Sequence, residues 1–463
     1  MRFSAKTKTV LVFLTFAGLT HGTTSLPPLV PRSAEAQCLL SDAWPPGPGN
    51  ELVPQSPSTQ LKSIVSQIDP KRIEATITKL VSFGTRHTLS NQTDPKRGIG
   101  AARDWLASEM RSLIAGAPRG TTATVQVQSY IQQPASRIPT ATNISNVITT
   151  IQGTEKSNRV YIITGHYDSR VTDVMNFTDD APGADDDGSG VAVVLELIRI
   201  LSRMPPPKAT IMLGAVAGEE QGLFGSTHFA QVMKQQGADV QGMFTNDIVG
   251  SSKSDNGVID ANSIRLFAQG IPSSENTTQV ASRVSIGGEN DSPARELARL
   301  DRYLRGGDHR PFLEQGFPAA RFTEPNENFA HQHQDVRVDS TTGQQFGDLI
   351  EFCDFDFISR VARVNAAAIW SLAQAPGTPK NVTIDTSVLT NNSTLFWQAD
   401  TSGEVAGYEV VWRATEEPFW SHVIPVGLVN TVTVSLSKDN VVFGVRAVGK
   451  NGYTSPATFP FPR

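Results

Sequence analysis

Apolar residues in the middle of the chain alternate between short runs and longer stretches with helical spacing. Short runs predict strands and the longer stretches predict helices. Strands are predicted at 146–151, 160–164, 209–217, 240–248 and 319–323, and helices at 191–201, 223–236 and 346–372. This alternation predicts an α/β fold with a mixed, mostly parallel central sheet and helices on both faces.

The pattern differs at the two ends of the chain. Residues 1–25 combine basic residues, an apolar run at 10–19 and small residues, which predicts a secretory signal peptide. A buried N-terminal helix is the alternative. Residues 26–58 are rich in Pro and Ser and predict a linker or pro-segment. We expect one domain at 59–375 and, from short alternating runs, an all-β sandwich at 376–463.

Composition and charge narrow the choice of partners and compartment. The 463 residues carry a formal net charge of −5, which disfavours a nucleic-acid partner, since phosphate binding needs a basic face. No stretch beyond the signal is long and apolar enough to span a membrane. Sequons from Asn91 to Asn392, including one at Asn290, suit a secreted, extracellular glycoprotein. Cys38 and Cys353 could pair after export, and the oligomeric state stays undetermined.

Five polar segments stand at predicted strand ends, at a helix start or in a loop. They are Gly-His-Tyr-Asp-Ser at 165–169, Gly-Ala-Asp-Asp-Asp-Gly-Ser-Gly at 183–190, Gly-Glu-Glu-Gln-Gly at 218–222, Asn-Asp at 246–247 and His-Gln-His-Gln-Asp at 331–335. Ligands of open α/β sheets bind outside the carboxyl ends of the strands. With two cysteines in the chain, a zinc site must use imidazole and carboxylate ligands. Each segment alone could be a turn, a helix cap or a solvated loop, but their conjunction predicts a metal centre.

These motifs, together with Gly-Asp-His-Arg-Pro-Phe at 307–312, resemble the secreted di-zinc aminopeptidases that include bacterial leucyl aminopeptidases and yeast vacuolar aminopeptidase Y. The resemblance covers about residues 60–375. It implies two Zn²⁺ per chain, with Asp186 bridging them. It further implies that His166 and Asp247 bind one zinc, and that Glu220 and His331 bind the other. His333 is an alternative to His331, although the spacing to Asp335 favours His331.

The resemblance also implies roles in catalysis. Glu219 is expected to be the general base that takes a proton from a zinc-activated water. Asp168 is expected to orient His166 through its other ring nitrogen. Some relatives carry a tyrosine before the ligand histidine that could stabilise the oxyanion. Here Ala330 precedes His331, so the oxyanion donor is unassigned.

The expected activity is therefore hydrolysis of N-terminal residues from peptides or proteins with a free amino end. One alternative keeps the fold but changes the chemistry, as in carboxypeptidase-like or glutaminyl-cyclase-like proteins. Another is an extracellular binding protein without catalysis, which predicts a lost ligand or base. Side-chain preference at the cleaved residue does not follow from the motifs.

Residues 376–463 resemble a fibronectin type III domain. The resemblance rests on Trp397, on Gly-Tyr-Glu-Val-Val-Trp-Arg at 407–413 and on Val-Arg-Ala-Val at 445–448. Phe443 stands where the fold often has tyrosine. A sandwich that packs passively on the larger domain is favoured over a substrate-binding module.

Overall fold

The computed structural model describes residues 47–268, 275–285, 299–300, 306–415 and 417–463. The predicted signal peptide, the first part of the Pro-rich segment, Cys38 and the Asn290 sequon lie outside these residues. In the part of the chain that is described, no helix is long and apolar enough to cross a membrane.

The helices and strands are numbered in chain order. The helices are α1 (Thr59–Ser66), α2 (Pro70–Val81), α3 (Ile99–Ile114), α4 (Gly188–Leu201), α5 (Phe224–Gln235), α6 (Thr277–Ser285), α7 (His309–Glu314) and α8 (Phe355–Gln374). The strands are β1 (Asn50–Glu51), β2 (Ala123–Gln132), β3 (Thr142–Ile151), β4 (Arg159–His166), β5 (Thr210–Val216), β6 (Asp239–Asn246), β7 (Arg265–Ala268), β8 (Arg299–Leu300), β9 (Ala319–Thr323), β10 (Arg337–Val338), β11 (Gln345–Phe346), β12 (Thr383–Ile384), β13 (Ser393–Phe396), β14 (Val405–Ala414), β15 (His422–Gly427), β16 (Thr431–Val434), β17 (Val441–Gly449) and β18 (Phe461–Pro462).

Among the described residues, the central sheet has eight strands in the order β2-β3-β5-β4-β6-β9-β7-β8. Its middle is parallel, because β4 pairs in parallel with both β5 and β6, and β6 pairs in parallel with β9. On one side, β3 pairs antiparallel with β5 and β2 pairs antiparallel with β3, and on the other side β7 pairs antiparallel with β9. The predicted α/β class with a mixed, mostly parallel sheet is confirmed. Strand β2 was not predicted, since its exposed and half-buried residues lack a strong apolar run.

Helices cover both faces of this sheet. α4 packs on β4 and β5 and also contacts α2, α3 and α8, while α5 and α7 pack together against β3, β6 and β9. α4 is buried nearly all round, which explains its almost continuous apolar sequence. The predicted helix at 346–372 begins later, at Phe355, where the side chain of Asp354 accepts the N–H of Phe357 and caps the helix.

The C-terminal strands, together with β1, form two further four-stranded sheets, in the orders β1-β15-β14-β17 and β16-β13-β12-β18. Their apolar side chains make a core separate from that of the larger body, with Trp397, Tyr408, Trp412 and Phe443 among its buried members. The predicted all-β sandwich at the C-terminus is therefore confirmed. Its assignment as a fibronectin type III domain stays a prediction.

The segment before α1 runs over the C-terminal sheets, and we call residues 47–58 the N-terminal strap. Strand β1 pairs antiparallel with β15. The indole nitrogen of Trp412 donates to the carbonyl of Pro48 at 2.8 Å, and the hydroxyls of Ser58 and Tyr453 lie 2.7 Å apart. The second part of the predicted linker or pro-segment thus takes part in the fold.

Candidate metal centre

Four polar segments meet at one edge of the central sheet. His166 is the last residue of β4, Glu219 and Glu220 follow β5, and Asp247 follows β6. Because β5 and β6 flank β4 in parallel, their carboxyl ends open onto the same crevice. The loop before α4 brings Asp186 to this point.

One cluster of side chains that could bind a metal ion consists of His166, Asp186 and Asp247. Nε2 of His166 lies 3.0 Å from Oδ1 of Asp186 and 4.0 Å from Oδ1 of Asp247. All three side chains are buried. Their potential ligand atoms lie within 4.8 Å of one another.

A second cluster shares Asp186 with the first and adds Glu220 and His333. Nε2 of His333 lies 2.8 Å from Oδ2 of Asp186 and 3.0 Å from Oε1 of Glu220. Asp186 therefore turns one carboxylate oxygen toward each cluster, which is the arrangement needed of a ligand that bridges two metals. Although burial alone raises it, His333 and His166 hold the pKa of Asp186 well below its ordinary value.

The tautomer of His166 tests whether a cation fits the first cluster. Its Nδ1 lies 3.1 Å from the carbonyl oxygen of Asp168, which can only accept, so the proton sits on Nδ1. Nε2 then turns a lone pair toward the carboxylate oxygen of Asp186, and two acceptors at this distance repel each other. A cation or a second proton between the two atoms makes the contact favourable. Burial lowers the pKa of His166, but hydrogen bonds to Asp168 and Asp186 outweigh it and raise that pKa well above 6.5. Imidazole and carboxylate are suitable zinc ligands, so the donor set fits zinc.

Arg170 lies beside the second cluster. Its Nε donates to Oε2 of Glu220 at 2.9 Å, and its Nη2 lies 2.6 Å from Nδ1 of His333. Since a guanidinium can only donate, Nδ1 accepts and the ring proton lies on Nε2, toward Asp186 and Glu220. Binding of a cation in this cluster requires that proton to leave and the Arg170 contact to rearrange.

The structure places His331 outside both clusters, contrary to the expected pairing with Glu220, and His333 lies beside Glu220 instead. The His331 ring stacks on Phe352, with the ring centroids 3.6 Å apart and the planes 4° from parallel. Its Nε2 lies 3.4 Å from Nδ2 of Asn328. His333 has a φ of 57°, a left-handed conformation that is uncommon outside glycine and is found in functional loops.

Asp168 holds the loop that carries Glu219 and Glu220. Its carboxylate accepts the backbone N–H of Glu219 at 3.3 Å and of Glu220 at 3.2 Å, and also the Thr88 hydroxyl at 3.1 Å. The same carboxylate is 3.6 Å from Nδ1 of His166, farther than the Asp168 carbonyl. Asp168 is therefore placed to orient His166 as predicted, mainly through its carbonyl, and to fix the Glu219–Glu220 loop as well.

The Asp-rich loop is held from both sides. Asp348 accepts the backbone N–H groups of Asp185 and Asp186, each at 2.8 Å. Asp187 caps α4 through Gly190 N–H at 2.9 Å and accepts the N–H of His166 at 2.8 Å. The hydrogen bonds of Asp348 and Asp187 together hold Asp186 beside His166.

The buried guanidinium of Arg86 also stabilises the Asp-rich loop. It donates to the carbonyls of Tyr167, Pro182 and Gly183, and burial lowers its pKa to about 10 despite nearby carboxylates.

Glu219 is half-buried and lies among the charges of the two clusters. Burial, followed by the neighbouring Asp247 and Glu220, raises the pKa of Glu219 well above its ordinary value, although His166 opposes this. Asp247 is bonded by Nη2 of Arg321 at 3.0 Å. Asp308 is fully buried nearby, and burial raises its pKa to about 7, although His166 opposes this.

Sequence reasoning missed several residues that shape the site, chiefly Arg170, Arg321 and Asp348. None of the three lies in a motif that is typical of metal ligands. Each contributes through hydrogen bonds to residues far away in the chain, which no local pattern indicates. Asp308 lies in the Gly-Asp-His-Arg-Pro-Phe segment, which did carry a signal.

Comparisons with known proteins agree with this architecture. The family model of peptidase family M28 matches residues 146–351. A probable zinc metalloprotease of Pyrenophora teres f. teres is 55% identical over 461 residues, covering 95% of this chain and 94% of the relative. A probable zinc metalloprotease of Pyrenophora tritici-repentis is 56% identical over 443 residues, covering 91% of each. The crystal structure of the Legionella pneumophila LapA aminopeptidase shares the fold, with a TM-score of 0.50 at 18% identity over 71% of this chain and 79% of that one.

Proposed function

The chain belongs to peptidase family M28, and we propose that it is a secreted zinc aminopeptidase that holds two zinc ions and removes N-terminal residues from peptides. The observation that carries the proposal is the carboxylate of Asp186, which faces a histidine on each side. The high similarity to probable zinc metalloproteases over nearly the whole chain supports the choice of metal.

In this proposal, His166, Asp186 and Asp247 hold one zinc, and Asp186, Glu220 and His333 hold the other. When bound, the two ions supply Lewis acidity toward the scissile carbonyl and lower the pKa of a nearby water. Each cluster offers three protein ligands, which leaves coordination positions for water and substrate.

Glu219 takes the proton of the attacking water and returns it to the leaving amine. Its side chain has the exposure needed to meet the substrate, whereas the adjacent Glu220 is buried among ligands. Asp168 positions Glu219 by accepting its backbone N–H, so the base and the ligand Glu220 are held by one carboxylate.

The guanidinium groups at the site bear on which end of the substrate is recognised. The guanidinium groups described there are already engaged: Arg86 with backbone carbonyls, Arg170 with Glu220 and Arg321 with Asp247. A carboxypeptidase needs a cation that is available for the substrate's terminal carboxylate.

The test combines zinc content by elemental analysis with hydrolysis of aminoacyl-nitroanilides that carry free or acetylated amines. We expect close to two zinc ions per chain, release from free-amine substrates alone, and loss of release after chelation. Cleavage of N-acetylated peptides from their C-terminus would indicate carboxypeptidase activity. Loss of ammonia from an N-terminal glutaminyl peptide without shortening would indicate a cyclase, and no turnover of any substrate would indicate a binding protein.

A further inference from the structure

Gln332 immediately precedes His333 and faces the same carboxylate. Its Nε2 donates to Oδ2 of Asp186 at 3.2 Å, the oxygen that lies 2.8 Å from Nε2 of His333. The left-handed φ of 57° at His333 turns the loop so that both consecutive side chains point into the site. Gln332 thus stands at the edge of the second cluster, on the loop that closes it.

The hydrogen bonds of Gln332 are incomplete. A primary amide has two N–H donors, and the structure gives the bond to Asp186 for one of them. Its carbonyl oxygen Oε1 is buried without a donor. A half-satisfied amide at this depth is unfavourable for stability, and such groups are retained at functional sites.

Hydrolysis of an amide places negative charge on the former carbonyl oxygen, and a neutral donor held at that position stabilises the transition state. Two nearby groups are unsuited to this task. Arg170 is bonded through Nε to Glu220, and His331 is stacked on Phe352 outside both clusters. The second N–H of Gln332 is available, next to the bridging carboxylate.

We propose that Gln332 is a catalytic residue that donates this N–H to the oxyanion of the tetrahedral transition state. The inference rests on the proposed peptidase function. It also names a donor for the oxyanion, which the sequence motifs leave unassigned.

Gln332→Met tests the role, since methionine keeps the length of the side chain and removes both donors. Gln334→Met is the matched control in the same loop, where Gln334 bonds Arg337 instead of the cluster. We expect Gln332→Met to lower kcat about 10²- to 10³-fold with little change in KM and in zinc content. The control is expected to keep wild-type kcat.

Calorimetry on the zinc-loaded proteins gives a readout independent of turnover. A 1-aminoalkylphosphonic acid imitates the tetrahedral state, and the matching free amino acid imitates the product. Gln332→Met is expected to weaken phosphonate binding by a factor similar to its loss of kcat and to leave amino-acid binding unchanged.

Three results would overturn the inference. Unchanged kcat and phosphonate affinity in Gln332→Met would show that the amide does not meet the oxyanion. A fall in kcat that follows a fall in zinc occupancy would show that Gln332 only positions Asp186. A wild-type protein that hydrolyses no substrate refutes the proposed function and the role of Gln332 with it, whereas an active wild type beside an unaffected variant refutes the role alone.

Discussion

Alanine variants of His333 and His331 show which of the two loop histidines binds zinc. Nε2 of His333 lies within 3.0 Å of both Asp186 and Glu220, whereas His331 is stacked on Phe352. We therefore expect His333→Ala to weaken one zinc site and His331→Ala to leave both intact. The first cluster keeps all three of its ligands in either variant.

The size of the effect follows from the number of ligands. A structural zinc site with four ligands binds with about 10–16 kcal/mol, so one ligand accounts for about 3 kcal/mol. That free energy corresponds to a roughly 10²-fold rise in Kd for the zinc bound by Asp186, Glu220 and His333. His331→Ala loses a ring stack with Phe352, worth about 0.5–1.5 kcal/mol of folding stability, and no ligand.

The assay is equilibrium dialysis against chelator-buffered zinc, followed by elemental analysis. Wild type and His331→Ala are expected to hold two zinc ions per chain over the same range of free zinc, and His333→Ala is expected to fall to one at concentrations where wild type is full. If His331→Ala loses a zinc and His333→Ala keeps both, the loop binds metal in a different register, and the assignment of His333 is refuted.

Three other variants test the base, the buried acid and the N-terminal strap. Glu219→Gln should keep wild-type zinc content and lose about 10²- to 10⁴-fold in kcat, since it cannot accept a proton; activity near wild type would reassign the base. Burial raises the pKa of Asp308 from 3.8 to about 7, so the folded protein keeps a proton that the unfolded chain releases, and stability falls as pH rises through this range. In urea unfolding of chelated protein, the stability of Asp308→Asn relative to wild type should therefore be roughly 3 kcal/mol greater near pH 8 than near pH 5, and a difference that does not vary with pH would contradict the burial argument. A chain that begins after the strap should lose about 1–3 kcal/mol in the same assay because the Trp412 indole loses its acceptor at Pro48, and unaltered stability would show that the strap contributes nothing.

The site residues that can be located from the sequence are those next to helices and strands. His166 ends β4, Asp247 directly follows β6 and Glu220 lies in the loop after β5, and apolar runs locate such strand ends well. Asp186 lies just before the strongly apolar helix α4. Once the sheet is parallel in its middle, these side chains must converge.

The part that sequence reasoning misplaced lies in irregular chain. The loop around His331 and His333 has no periodicity, and a left-handed residue reverses which side chain faces the site. Spacing to Asp335 favoured His331, whereas His333 faces Glu220, because a fixed spacing indicates direction only within a helix or strand. Asp348 could not be found either, since its hydrogen bonds join positions 162 and 163 residues apart.

The N-terminal strap links the order of folding to the order of synthesis. Pro48 and Trp412 are 364 positions apart, and Ser58 and Tyr453 are 395 apart. Strand β1 therefore leaves the ribosome long before its partner β15 exists, and contacts of such sequence separation form slowly. The sheet that contains β1 can close only after β14, β15 and β17 have been synthesised, so β1 stays an unpaired strand until then.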